Sequence, residues 1–215
     1  MLNVYETFSG IQGESSFAGR PCFFIRLAGC NLRCAYCDTK KAWTEESGRP
    51  ETVETLTERA EASGLDLAEL TGGEPLLQSE TPELARRLIE AGKTVLVETN
   101  GSADRTVLPP EAHVIIDWKT PCSGMSAHML ESNFTGLRPH DEVKFVIADE
   151  TDYKAALNVV RRFCLEEQVN HILFSPAWGS DVKALCGWIV RDGIKHARLN
   201  LQLHKYIWGP DAEGV

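Results

Sequence analysis
The chain has 215 residues, 43% of them hydrophobic, and 22 Lys and Arg against 31 Asp and Glu give a formal charge of −9. At roughly 150 residues per domain this is about one domain. It is long enough to bury a core without disulfides, and its composition excludes collagen-like, low-complexity and disordered chains. The acidic balance argues against a phosphate-neutralising surface, so no nucleic-acid partner is expected. No apolar stretch approaches the roughly 20 residues of a membrane span, and the first residues lack the basic and apolar regions of a secretory signal. The seven cysteines are therefore expected as reduced thiols in a cytoplasmic protein with no membrane partner.

Strand-length apolar runs alternate with segments of helical period. Residues 22–27 read as a strand, and 53–63 as a helix stopped by Gly64. Residues 67–70 form a short strand that enters the turn Thr71-Gly72-Gly73-Glu74-Pro75. Thr81 is the expected N-cap of the next helix, with Pro82 at its first position and Gly92 just past its end. Strands are expected over 94–98, 113–118, 142–147, 171–175 and 197–201. Helices are expected from a Thr151 cap onward and over 180–191, while 103–113 is too rich in proline to assign. Six or seven strands with intervening helices argue for an α/β fold with a mainly parallel sheet. In such folds the carboxyl ends of the strands converge on one ligand-binding face. The turns at Gly29-Cys30, Thr71 to Glu74, Glu98 to Gly101, Asp117 to Lys119 and Ser175-Pro176 are thus candidate site loops.

The sharpest local feature is Cys30-Asn31-Leu32-Arg33-Cys34-Ala35-Tyr36-Cys37, directly after a strand. Thiolates this crowded repel one another unless a metal or cluster neutralises them. Three cysteines without a fourth at similar spacing would leave one iron of a [4Fe-4S] cube without a protein ligand, and an open metal position is where chemistry occurs. A structural zinc completed by a distant Cys or His is the alternative reading of the spacing. Cys22, Cys164 and Cys186 read as small buried hydrophobes, and Cys122 as a bystander in a candidate site loop.

The C-x3-C-x2-C pattern with Tyr36 before its last cysteine, followed by Gly72-Gly73-Glu74-Pro75 after the next strand, resembles the radical S-adenosylmethionine (SAM) superfamily. Further stretches resemble the 7-carboxy-7-deazaguanine synthase family within it: residues 5–14, Gly19-Arg20-Pro21, residues 24–32, Cys37-Asp38-Thr39, Glu98-Thr99-Asn100-Gly101 and residues 202–206. Together they cover almost the whole chain. The resemblance implies an incomplete (β/α)6-type partial TIM barrel formed by a single radical SAM domain over 1–215. Its parts would be an N-terminal substrate segment 1–21, a core 22–201 and a C-terminal substrate segment 202–215. It implies a lyase of queuosine biosynthesis that contracts 6-carboxy-5,6,7,8-tetrahydropterin to 7-carboxy-7-deazaguanine with loss of ammonia. The reaction would run through a 5′-deoxyadenosyl radical, with SAM regenerated.

The same resemblance assigns residues. Cys30, Cys34 and Cys37 would hold a [4Fe-4S] cluster whose fourth iron chelates SAM. Tyr36, Asp38, Gly73, Glu98, Asn100, Asp117, Trp118, Lys119, Ser175, Pro176, Ala177 and Trp178 would surround SAM, with Gly73 admitting its methionine moiety. Ile11, Gln12, Gly13, Arg26, Thr71, His204 and Pro210 would contact substrate. Arg26 suits a carboxylate, because its planar guanidinium forms a bidentate fork. Thr39 would ligate Mg²⁺, a hard cation that keeps waters and takes few protein oxygens. His204 is expected on a terminal strand or its exit. No protein side chain is assigned as a catalytic group. A pterin substrate, a flavodoxin- or ferredoxin-type reductase and a homodimer are the implied partners.

Two departures stand out. Ser15 occupies a position where the family usually has Gly, and residues 211–215 extend past the point near Pro210 where some members end and use their terminal carboxylate on substrate. Two other readings compete: an activase that makes a glycyl radical on a partner protein, and a non-catalytic zinc or iron–sulfur binding protein.

Overall fold
The computed structural model describes residues 1–212 and Gly214; within the expected C-terminal segment 202–215, Glu213 and Val215 lie outside the described residues. The chain runs β1 (Leu2–Ile11), β2 (Pro21–Leu27), β3 (Arg49–Glu51), α1 (Val53–Ala62), β4 (Leu67–Gly72), α2 (Thr81–Glu90), β5 (Thr94–Thr99) and β6 (His113–Trp118). It continues through β7 (Glu142–Ile147), α3 (Glu150–Arg162), α4 (Leu165–Gln168), β8 (His171–Pro176), α5 (Val182–Asp192), β9 (Ala197–Leu199) and α6 (Leu203–Trp208).

The strands form one sheet in the order β3-β1-β2-β4-β5-β6-β7-β8-β9. From β2 through β4 to β9 every pairing is parallel, whereas β1 pairs antiparallel with both β2 and β3. This is the expected partial barrel: a parallel wall left open, with an antiparallel hairpin along one edge. Helices are fewer than strands. The β5–β6 and β6–β7 connections carry only short 3-10 turns, at Arg105–Val107 and from Pro121 to Phe134.

Strand alternation sorts the interior. Ile25, Leu70, Val97, Ile116, Val143 and Ile172 face outward, into a core shared with the helices. Cys22, Phe24, Leu67, Leu96, Ile115 and Leu173 face inward and make an apolar barrel floor, against which Phe8 and Phe17 pack. The polar inward positions lie above that floor, toward the carboxyl ends. β1 escapes sequence pattern because Tyr5, Glu6, Thr7 and Ser9 are polar and partly exposed.

Local chemistry corrects several expectations. Thr81 does not cap α2: it is the first helical residue, and its buried hydroxyl donates to the Pro75 carbonyl at 2.6 Å. Thr151 lies inside α3, whose cap is Asp149, accepting from the Asp152 N–H at 2.9 Å. A carboxylate there also faces the positive helix end, which a neutral hydroxyl does not exploit. Cys164 is exposed at φ +49 between α3 and α4 rather than buried. His204 lies in α6, not on a strand. Among the described residues no helix is long and apolar enough to cross a membrane.

Candidate active site
The cysteine loop leaves β2 at Gly29 and is fixed by backbone bonds, Gly29 N–H to the Ala42 carbonyl (2.8 Å) and Cys30 N–H to the Trp43 carbonyl (3.0 Å). Arg33 donates to the Cys30 and Leu32 carbonyls, both at 2.7 Å, and lies over the Trp43 ring. The three thiols are free, and burial pushes those of Cys34 and Cys37 up. Buried thiols give up their protons only to a cationic group, and three soft sulfur donors on one loop suit iron–sulfur chemistry. The Leu32 N–H (3.4 Å) and the Asn100 side-chain amide (3.7 Å) both donate to Cys30 Sγ. This donor set fits a cluster.

The glycine-rich turn after β4 serves two ends. A Cβ on Gly73 would sit 2.1 Å from the Gly29 carbonyl oxygen. The missing side chain is therefore required where two backbones meet, and not only toward the cleft. Glu74 is buried and acts as a brace. It accepts from Thr99 Oγ1 (2.8 Å), Asn100 N–H (2.6 Å) and Leu76 N–H (3.0 Å), joining the ends of β4 and β5. Burial raises its pKa even against these bonds.

These loops surround a cleft of about 670 Å³ at the carboxyl ends of the strands. Every residue selected from sequence lines it except Trp118. Trp118 follows the alternation of β6 outward and packs edge-on against Phe134, with ring centroids 4.8 Å apart. Its neighbours in sequence face in: Lys119 Nζ donates to Asp117 at 2.6 Å. Burial alone would lower the Lys119 pKa, but Asp117 raises it, so the ammonium keeps its proton. Tyr36 Oη is buried, and burial pushes its pKa up to about 12.

On the opposite wall Arg26 donates to Glu6 at 2.8 Å and lies 3.5 Å from Thr39 Oγ1. Thr71 donates to Glu98 at 3.1 Å. Gln12 is buried, not a solvated loop residue; its amide donates to Glu69 and its oxygen accepts from the Glu14 N–H at 2.9 Å. A Cβ on Gly13 would fall 2.3 Å from His204 Nδ1. Burial lowers the His204 pKa against the pull of Glu14 and Asp38, so the imidazole is neutral near pH 7 and can both donate and accept. Ser15 adopts φ +64, the left-handed conformation glycine enters freely; its Oγ accepts from the Phe17 N–H at 3.1 Å and holds the turn.

Sequence reasoning missed a set of charges. Lys144 on β7 donates to Glu98 and to Glu14 (2.9 Å) and lies 3.8 Å from Asp117. Gln202 donates to Glu14 at 2.9 Å, and Lys205 to Asp38 at 2.7 Å. The available signal was alternation: Glu69, Glu142 and Lys144 interrupt apolar strands at inward positions, where a solvated role is excluded.

Comparison with known proteins agrees with this geometry. Residues 24–117 match the radical SAM superfamily. The chain is 43% identical to the 7-carboxy-7-deazaguanine synthase of Chlorobaculum tepidum, covering 100% of this chain and 97% of that one. It is 38% identical to the same enzyme of Koribacter versatilis, with both chains covered in full. The crystal structure of QueE from Escherichia coli superposes with a TM-score of 0.77 at 25% identity, covering 94% of each chain. With relatives this similar over their full length, the chain belongs to the 7-carboxy-7-deazaguanine synthase family of radical SAM enzymes.

Proposed function
We infer that the chain performs its family's reaction, the ring contraction of 6-carboxy-5,6,7,8-tetrahydropterin to 7-carboxy-7-deazaguanine with loss of ammonia. The observation that carries this reading is the single cleft in which the cysteine loop, the strand-end loops and both terminal segments meet. Cys30, Cys34 and Cys37 would hold the [4Fe-4S] cluster. With SAM bound, the cluster supplies the one-electron chemistry that starts the rearrangement.

The residues of this chain bind, orient and exclude water. Asn100, Asp117, Lys119, Ser175 and the 176–178 turn form the wall assigned to SAM, together with Tyr36, Asp38, Gly73 and Glu98. Arg26, with Glu6 fixing one edge of its guanidinium, turns its remaining N–H groups toward a substrate carboxylate. Ile11, Gln12, Gly13, Thr71, neutral His204 and Pro210 complete the pterin side. Both terminal segments thus act as substrate segments of one domain.

Thr39 Oγ1 would hold Mg²⁺, which would supply a hard positive charge for substrate oxygens. The nearby Arg26 would hold the substrate carboxylate beside that cation. A flavodoxin- or ferredoxin-type protein would deliver the electron, in the reducing cytoplasm that free thiols suit. A homodimer is supported by the exposed side chains of Trp178, which lines the cleft, and of Tyr206, Ile207 and Trp208 on α6.

Anaerobic reconstitution with iron and sulfide, followed by product analysis with SAM, dithionite, Mg²⁺ and the tetrahydropterin, tests the reading. A brown protein that releases 7-carboxy-7-deazaguanine is expected. A loaded protein that cleaves SAM yet leaves the pterin unchanged would overturn it.

A further inference from the structure
One buried acid in the cleft has no role in the assignments above. Glu69 is 4% exposed, lies at the middle of β4 and lines the cleft. Among the described residues its carboxylate takes no ion pair, and its one hydrogen bond comes from the Gln12 side-chain amide. A carboxylate has about four lone-pair sites, so most of its accepting capacity is unspent. Burying such a group without partners forfeits its hydration with nothing in return. It is expected only where a ligand supplies the missing donors.

The surroundings define that ligand. Glu69 is in register with Phe24 on the neighbouring strand, and the Phe24 and Phe8 rings stack with centroids 4.8 Å apart and planes 14° from parallel. Both rings and Ile115 line the cleft beside it, giving an apolar wall for a flat heterocycle. Arg26 and Thr71, also paired in register, stand two residues nearer the strand ends. Two residues along a parallel strand are roughly 6.6 Å, the scale of a fused bicyclic ring. A molecule held by its carboxylate at Arg26 therefore presents its far end to Glu69. In a pterin that end is a 2-amino group beside a ring N–H, two parallel donors that match the two oxygens of a carboxylate.

Resting on the family reaction inferred above, we propose that Glu69 is a specificity-determining residue that reads the 2-amino and N3–H edge of the substrate ring. Gln12 then has a positioning part. Its oxygen is held by the Glu14 N–H, and its amide fixes the Glu69 carboxylate at the edge of the ring. Burial, with Glu98 and Glu14 beside it, pushes the Glu69 carboxyl well above its ordinary value in the empty cleft, and donors from a ligand would relieve that penalty.

The test uses two stable ring analogues, pterin-6-carboxylate and 4-oxopteridine-6-carboxylate, which lacks the 2-amino group. Their binding to the reconstituted protein with SAM is followed by calorimetry. The wild type is expected to prefer the amino form at least tenfold. Glu69→Leu and the isosteric Glu69→Gln are expected to shrink that preference below threefold, with cluster absorbance unchanged. A tenfold preference surviving in the folded Gln variant, or absent from the wild type, would overturn the assignment. Failure of the wild type to form 7-carboxy-7-deazaguanine would instead count against the family reaction, which the analogue-binding readout does not measure.

Discussion

The Lys205 ammonium donates to the Asp38 carboxylate at 2.7 Å, joining α6 to the end of the cysteine loop across 167 positions of sequence. Gln202 reinforces the join, donating to Asp38 (3.1 Å) and to Glu14 (2.9 Å), and the Leu203 N–H reaches the Gly13 carbonyl at 2.9 Å. The C-terminal segment thus touches both loops that flank the proposed substrate side of the cleft, and its docking decides whether His204 is in place.

Replacing Lys205 should loosen that docking. The ammonium is buried while Asp38 is partly open to solvent, so the loss in global stability is expected to be small, within the roughly 1 kcal/mol of exposed pairs. The effect should appear locally. In Lys205→Gln, amide exchange of residues 200–208 should speed up and the KM for the pterin should rise about tenfold, with a smaller change in kcat. Although burial opposes it, Lys205, aided by hydrogen bonds from Gln202 and Thr39, holds Asp38 well below the ordinary carboxylate range. A carboxylate so depressed stabilises the fold above its ordinary value and loses that contribution only as pH falls through its own lower value. In a His204→Gln background, which removes the imidazole on α6 that titrates in this range, exchange protection of α6 should therefore be unchanged between pH 7 and pH 5. A drop at pH 5 would count against the pairing.

Gly13→Ala isolates His204. The new Cβ would fall 2.3 Å from Nδ1, and the ring must move. The expected result is a folded, cluster-bearing protein with KM raised as much as in His204→Ala. Because both changes act through one side chain, the double variant should be no worse than either single one, a coupling visible in a double-mutant cycle. Additive losses would show that Gly13 serves the backbone alone.

Much of this site is legible in the amino-acid sequence. The cysteine spacing, the glycine-rich turn and the strand-end turns lie at the ends of apolar strands, and their order along the chain maps onto neighbouring strands of a parallel sheet. What escapes the sequence depends on distance in space. Lys144, Glu98 and Glu14 come from three separate segments, and no local pattern links them. Trp118 is misplaced by its sequence context because its neighbours Asp117 and Lys119 face the cleft, and a period of two turns the residue between them outward. His204 is misread because residues 202–206 carry no helical apolar period, and α6 is only six residues long. β3 and β1, short or polar, offer little alternation to detect.

Glu74 holds three donors from two strand ends, and a substitution should show what that brace is for. Glu74→Ala leaves the Asn100 N–H and the Thr99 hydroxyl without their acceptor in a buried place. Hydrogen bonds to charged groups contribute roughly 1.5–3 kcal/mol each, and orphaned buried donors add to the loss. A destabilisation of about 3 kcal/mol or more is expected in urea unfolding. Glu74→Gln, which keeps the shape and one acceptor, should recover part of it. Both should weaken the Asn100 donation to Cys30, seen as a changed cluster spectrum in the folded Gln variant. An unshifted midpoint in Glu74→Ala would show that water replaces the carboxylate without penalty.

The same cleft predicts an unusual pH response for the apoprotein. Glu69 is raised well above the ordinary carboxyl value by burial and by its neighbours Glu98 and Glu14. An acid raised in this sense is protonated when folded and ionised when unfolded between the two values, so it costs stability as pH rises from about 4.5 toward its folded value. Lys144, though burial opposes it, is held up by Asp117, Glu14 and Glu98 and acts only above its ordinary 10.5, outside this window. Burial depresses His113, His171 and His204, an effect opposite in sign near pH 6.5. Those histidines are common to wild type and Glu69→Gln, and to first order cancel in the difference. Relative to wild type, the Gln variant should therefore gain stability from pH 5 to pH 8, by at most about 1.4 kcal/mol per pH unit. Urea midpoints of the two apoproteins across that range supply the comparison. Parallel curves would mean that Glu69 titrates like an exposed carboxyl and that the floor of the cleft is wetter than its burial implies.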